Sequence, residues 1–128
     1  MNAICLLVAG VIQATLPATE FTLEWRHSIE KTRWIERYRI DGDALALIEA
    51  SVEGNGAGMQ SPPGAKLRNG AWVWQLHQRL PAVVLAASEF SDDYTLCAAG
   101  SCTALRKMQP SSPPGPVELH ACPGAAAP

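Results

Sequence analysis

Trp34-Ile35-Glu36-Arg37-Tyr38-Arg39-Ile40-Asp41-Gly42-Asp43-Ala44-Leu45-Ala46-Leu47-Ile48-Glu49-Ala50-Ser51-Val52 decides the fold. Trp34, Glu36, Tyr38 and Ile40 alternate with Ile35, Arg37 and Arg39. A period of two with aromatic and β-branched residues is the mark of a half-buried strand. Asp41-Gly42-Asp43 follows as a tight turn, and Asp-Gly between two alternating runs is a strong hairpin signal. Residues 44–53 resume the alternation with apolar residues in both phases, which fits a strand covered on both faces. Their Ala, Leu and Glu content leaves a helix open as the alternative.

Working outward, Phe21, Leu23, Trp25 and His27 alternate with Thr22, Glu24 and Arg26. Residues 54–64 are rich in Gly and Pro and read as a loop. Asn69-Gly70 leads into Ala71-Trp72-Val73-Trp74-Gln75-Leu76, and Val83–Ala87 is a further apolar run. Tyr94-Thr95-Leu96 and Thr103-Ala104-Leu105 flank a short turn. The expectation is an all-β chain, a small antiparallel sandwich or barrel of about seven or eight strands with a turn every ~8–12 residues. The 128 residues suffice for one domain, read as 19–108. Apolar residues at 48% and charged residues at 17% exclude a disordered chain. A net charge of -2 gives no argument for nucleic acid. No apolar run approaches the ~18 residues of a membrane-spanning helix.

The two ends differ from the body. Residues 1–19 carry no charged side chain except the terminus, and Ala3–Ile12 is unbroken apolar sequence. Small residues follow, so 1–18 reads as a secretory signal peptide, with cleavage after Ala14 or Ala18. The n-region lacks Lys and Arg, and a first buried strand is the alternative. The expected location is periplasmic or secreted. From Gln109 the chain is rich in Pro, Gly and Ala, and residues 109–128 read as an extended or disordered tail outside any sheet.

Cys97 and Cys102 face each other across a short turn and are expected to form a disulfide, leaving Cys122 free or loosely paired once Cys5 departs with the leader. A zinc site from Cys97, Cys102, His120 and Cys122 is the competing reading, disfavoured by loose spacing. Neither a metal nor a cofactor is expected.

The densest polar stretch runs from Trp25 to Glu36. His27 shares its phase with Trp25, Glu36 with Trp34, and Glu49 with Leu45 and Leu47. Strand parity therefore points all three inward. An inward carboxylate costs several kcal/mol unless it is paired, so His27, Glu36 and Glu49 are expected to meet. Such a cluster is either a polar site facing a pocket or a structural network. Ser28-Ile29-Glu30-Lys31 matches Ser-x-x-Lys, but that nucleophile motif needs a buried helix start and a longer chain. Gly54, Gly56 and Gly58 could present an anion nest; no helix signal follows, so nucleotide binding is not expected. The four tryptophans sit in strand phases and are read as core.

Arg26-His27-Ser28-Ile29-Glu30-Lys31-Thr32, the downstream Glu36, and Gly56-Ala57-Gly58-Met59 resemble the bacterial domain-of-unknown-function family numbered eighteen-fifty. That family carries His-Ser-Val-Glu-Lys-Thr, a later Glu and a Gly-Ala-Gly-Met loop. Ile29 stands here for the usual Val, and Gln60 for a frequent Pro. The resemblance covers residues 20–107. It implies an exported accessory protein, often encoded beside TRAP-type carboxylate importers. Its candidate ligand-binding residues are His27, Ser28, Glu30, Lys31, Thr32, Glu36, Gly56, Gly58 and Met59, with Arg26 added as a group to hold a carboxylate and Glu49 from strand phase. The expected partners are a transporter or periplasmic protein and a small carboxylate ligand. The alternatives are a small hydrolase or metal-dependent enzyme using His27, Glu36 and Glu49, and a purely structural partner-binding domain.

Overall fold

The computed structural model describes residues 2–26, 32–53, 64–85, 94–105 and 116–123. Among these the chain is almost entirely strand: β1 (Asn2–Val8), β2 (Val11–Leu16), β3 (Glu20–Arg26), β4 (Arg33–Asp41), β5 (Ala44–Glu53), β6 (Lys66–Arg68), β7 (Ala71–Leu80), β8 (Val83–Leu85), β9 (Thr95–Ala98), β10 (Ser101–Ala104) and β11 (Val117–Pro123). They form two sheets, ordered β2-β1-β11-β8 and β10-β9-β3-β4-β5-β7-β6. All the pairings are antiparallel. The arrangement is a sandwich with one short and one long layer, not a closed barrel.

The core lies between the layers. Ile4, Leu6, Val8, Val83, Val117 and Leu119 from the short sheet meet Phe21, Leu23, Tyr38, Leu45, Leu47 and Leu96 from the long one. In β3 and β11 these residues fall at every second position, as a sheet with one covered face requires. Residues 44–53 are a strand, and Ala44, Leu45, Ala46 and Leu47 are all buried. The two-faced apolar pattern, not helix propensity, governs that segment.

Eight strands, β3 to β10, come from the part read as the domain. The other three come from the two ends. Residues 2–16 form the hairpin β1-β2, closed through Ala9 and Gly10, whose φ values of 53° and 80° match the twist of a two-residue hairpin turn. Ile4 and Leu6 are fully buried and β1 is an interior strand. A cut after Ala14 or Ala18 would remove it. The apolar run thus behaves in the folded chain as the buried strand that its composition also allowed.

The expectation that residues 109–128 stay outside any sheet is corrected by β11, which lies between β1 and β8. Val117, Leu119 and Ala121 alternate with Glu118, His120 and Cys122, and the first set packs on the core. Pro116 and Pro123 bracket the strand and leave its interior hydrogen bonding intact.

Cys97 and Cys102 are direct cross-strand partners and form a disulfide with Cα atoms 4.0 Å apart. Cys122 is not free. It is bonded to Cys5, across 117 residues of sequence. The register pairs Cys5 with His120 and Ala3 with Cys122, so the bond is a diagonal on the outward face of β1 and β11. Both cysteines of the hairpin and Cys122 are thereby removed from any zinc set. Among the described residues no group of three or more metal-binding side chains assembles.

Candidate functional site

The long sheet extends beyond the main core cluster at one end, where Ala50 and Val52 are still buried, and that end gathers the polar chemistry. Reading across its inner face, one row runs Leu96, Leu23, Glu36, Ala50, Trp74. The next row outward runs Trp25, Trp34, Val52, Trp72. Tyr94 directly precedes β9 and its ring lies 5.3 Å from that of Trp25. Trp25 and Trp34, register partners, stack at 6.2 Å with rings 10° from parallel. Cross-strand aromatic pairs of this kind hold the two hairpin strands in register. Trp25 and Tyr94 pack on the core, whereas Trp34, Trp72 and Trp74 are half-buried beyond it.

Glu36 therefore sits where the apolar core gives way to an aromatic wall. Its carboxylate accepts a hydrogen bond of 2.7 Å from the Tyr38 hydroxyl. Tyr38 itself is buried, with its ring stacked on Phe21 at 5.1 Å. Burial, then the hydrogen bond to Glu36 and its negative charge, raise the Tyr38 pKa far above that of a free phenol. Burial and the same charge raise that of Tyr94. One hydrogen bond uses a fraction of the acceptor capacity of a carboxylate, which has about four lone-pair sites. Nearby, Trp34 Nε1 is buried with no hydrogen-bond partner, as is Thr32 Oγ1 at the entry to β4.

Glu36 has the inward phase expected of it, but Glu49 does not. The pairing of β4 with β5 shifts between Arg37 and Tyr38, so Tyr38 faces Leu47 while Glu36 faces Ala50. This bulge inserts one residue into β5 and reverses the phase beyond it. Glu49 consequently lies on the outward face. It accepts a 2.7 Å hydrogen bond from Gln75 and sits 4.0 Å from Arg37. Simple alternation extrapolated from Leu45 and Leu47 cannot see the bulge. The expected meeting of Glu36 with Glu49 does not occur.

The outward face is a lattice of ion pairs. Arg33 binds both oxygens of Glu24, at 2.7 and 3.0 Å, and Arg37 lies 3.5 Å from Glu20. Such exposed pairs contribute about 0–1 kcal/mol each. Arg26 closes β3 as the register partner of Arg33, in the outward phase. At the opposite end of the sheet, Arg79 contacts Asp41 and Asp43 beside an open cavity of about 300 Å³ lined by Asp43, Ala44, Arg79, Leu80 and Pro81. Its guanidinium is engaged by those aspartates, and no family-motif residue lies there.

His27, Ser28, Glu30, Lys31, Gly56, Gly58 and Met59 lie outside the described residues. The strand ends that carry them are described and adjacent. The chain leaves β3 at Arg26, re-enters at Thr32 and leaves β5 at Glu53. The Arg33 backbone N–H donates to the Glu53 carboxylate at 3.3 Å. Both motif segments thus spring from the end of the sheet that carries Trp25, Trp34 and Glu36. The sequence reads the tryptophans as core by default, while also offering a tryptophan face as the surface that would bury a ligand. The signal was available in Trp72 and Trp74, which share a face with no bulky apolar run beyond them.

A family model described as a domain of unknown function, DUF1850, matches residues 21–105. No curated protein and no solved structure gave a match. The matched span runs from the second residue of β3 to just past β10, so it includes essentially the whole long sheet.

Proposed function

The chain belongs to the DUF1850 family, and from that premise we propose that it is a non-enzymatic binding module for a small solute, acting in an oxidising compartment. The observation that carries this reading is Glu36, a half-buried carboxylate set among Trp25, Trp34 and Tyr94 on a sheet face that extends past the core. A concave or walled aromatic surface with a few placed polar groups is the usual form of a small-molecule site. The family motifs would add groups suited to a carboxylate, Lys31 and the backbone of residues 54–59, which lie outside the described residues. The accessory role beside a TRAP-type carboxylate importer, implied by the resemblance, belongs to the same proposal. So does a transporter or periplasmic partner.

Export is proposed on the disulfides rather than on residues 1–18, since those residues supply β1 and β2. Disulfides persist in oxidising compartments. No described helix is long and apolar enough to cross a membrane. The enzyme alternative loses support because Glu36 and Glu49 point to opposite faces and cannot share a substrate. The purely structural alternative predicts no ligand at all.

A thermal-shift screen of the folded chain against dicarboxylates, amino acids and divalent metals tests the proposal. A ligand at a hundred times its dissociation constant adds about 2.7 kcal/mol. A solute-specific rise that disappears in Lys31→Ala or Glu36→Gln is the expected result. No rise across the panel favours the structural reading, and a metal-specific rise favours the enzyme.

A further inference from the structure

Resting on that reading of the site, a narrower chemical assignment follows from what surrounds Glu36. A carboxylate part-way out of water needs compensation, and the Tyr38 hydroxyl gives one hydrogen bond. Three arginines of the same sheet are committed elsewhere: Arg33 to Glu24, Arg37 to Glu20 and Glu49, and Arg79 to Asp41 and Asp43. The first two, Arg33 and Arg37, lie on the outward face. Among the described residues no ion pair reaches Glu36. Beside it on the inner face are aromatic rings, with Trp25 and Trp34 stacked and Tyr94 tilted against Trp25. Aromatic faces carry negative quadrupole charge and attract an alkylammonium within about 6 Å of the ring centre. A negative carboxylate bordered by such faces is matched to a positive charge that is itself partly apolar. It repels a second carboxylate.

We propose that Glu36, Trp25, Trp34 and Tyr94 form an ammonium subsite, so that the solute is an organic cation or a zwitterion. A plain dicarboxylate then meets repulsion at Glu36. Trp34 Nε1, a buried donor lacking an acceptor, is a further polar handle on the same face two residues away.

Isothermal titration of the full chain with tetramethylammonium, its neutral isostere tert-butanol, glycine and succinate tests this. Saturable binding of tetramethylammonium with quenching of tryptophan fluorescence is expected, with at least about tenfold weaker binding of tert-butanol. Glu36→Gln keeps an oxygen that can accept the Tyr38 hydrogen bond and should weaken tetramethylammonium at least about tenfold. The wild-type comparison of cation with isostere stands even if that variant folds poorly. Equal binding of cation and isostere overturns the subsite. Binding of succinate without tetramethylammonium also overturns it, while leaving the binding-module proposal standing. Silence from all four probes overturns the subsite and removes support from the binding module as well.

Discussion

The two sheets differ in what they bury and in how their strands are held together. The short sheet supplies Ile4, Leu6, Val8, Val117 and Leu119 to the core, and its central strands come from opposite ends of the chain. They are joined by Cys5–Cys122. The long sheet is built from the consecutive hairpins β3-β4-β5 and β7, with local turns and a local disulfide. Part of its inner face rests on the short sheet, and Glu36 stands among aromatics toward the other end. The short sheet acts as a lid on the core, and the long sheet combines a foundation with a site. Stability and recognition are thereby separated, and substitutions in the two regions should have different signatures.

The largest effect expected is loss of the fold on removing residues 1–18. That deletion strips β1 and β2, leaves the edge of β11 unpaired and exposes Phe21 and Leu23. Circular dichroism and thermal unfolding should show no cooperative transition. A native-like transition in the shortened chain would mean that β1 is dispensable. Within the same sheet, Leu6→Ala should cost about 2–5 kcal/mol, read by denaturant unfolding.

The two disulfides sharpen the contrast. Closing a loop of over a hundred residues restrains the unfolded chain by about 4–5 kcal/mol on the chain-entropy model, against about 2 kcal/mol for a loop of five or six. Cys5→Ser with Cys122→Ser should therefore lower the unfolding midpoint more than Cys97→Ser with Cys102→Ser. The reverse order would mean that native-state packing around the hairpin dominates.

An alkaline titration separates the layers by pH. The Tyr38 pKa is raised in the folded chain, chiefly by burial and then by Glu36, whereas the unfolded phenol titrates near 10.0. The unfolded chain releases this proton first, so the associated stability is intact below about pH 10 and falls as pH rises above it. Tyr38→Phe should flatten that fall in a midpoint-against-pH curve. An unchanged slope would assign the alkaline loss to other groups.

The smallest effect concerns turn strain. Ala9 and Ala99 occupy positive φ at 53° and 52°, where an L-residue other than Gly or Asn is strained by about 1 kcal/mol. Ala9→Gly and Ala99→Asn should each raise the midpoint by a few degrees, measured by calorimetry.

The long sheet and β8 were legible in the sequence, and the other three strands of the short sheet were not, for identifiable reasons. Alternation in Phe21–Arg26 and Trp34–Ile40, with Asp41-Gly42 between strands, reports a one-sided sheet directly. Ala3–Ile12 lacks alternation because Ala3, Ile4, Cys5, Leu6 and Val8 are all buried, and such a run is shared by interior strands and leaders. Val117–Cys122 does alternate, but Pro110, Pro113, Pro114 and Pro116 before it mask a single strand that is supported only by distant partners. At the site, parity placed Glu36 correctly and misplaced Glu49, because a bulge is set by pairing rather than by local composition.

The most direct test of the central claim compares these two carboxylates, which lie on opposite faces of neighbouring strands. The ligand-induced rise in unfolding midpoint should be measured for the wild type, Glu36→Gln and Glu49→Gln with the best solute from the screen. The inner-face site predicts that the rise is lost in Glu36→Gln and retained in Glu49→Gln. A rise retained in Glu36→Gln, or lost equally in both, would contradict it.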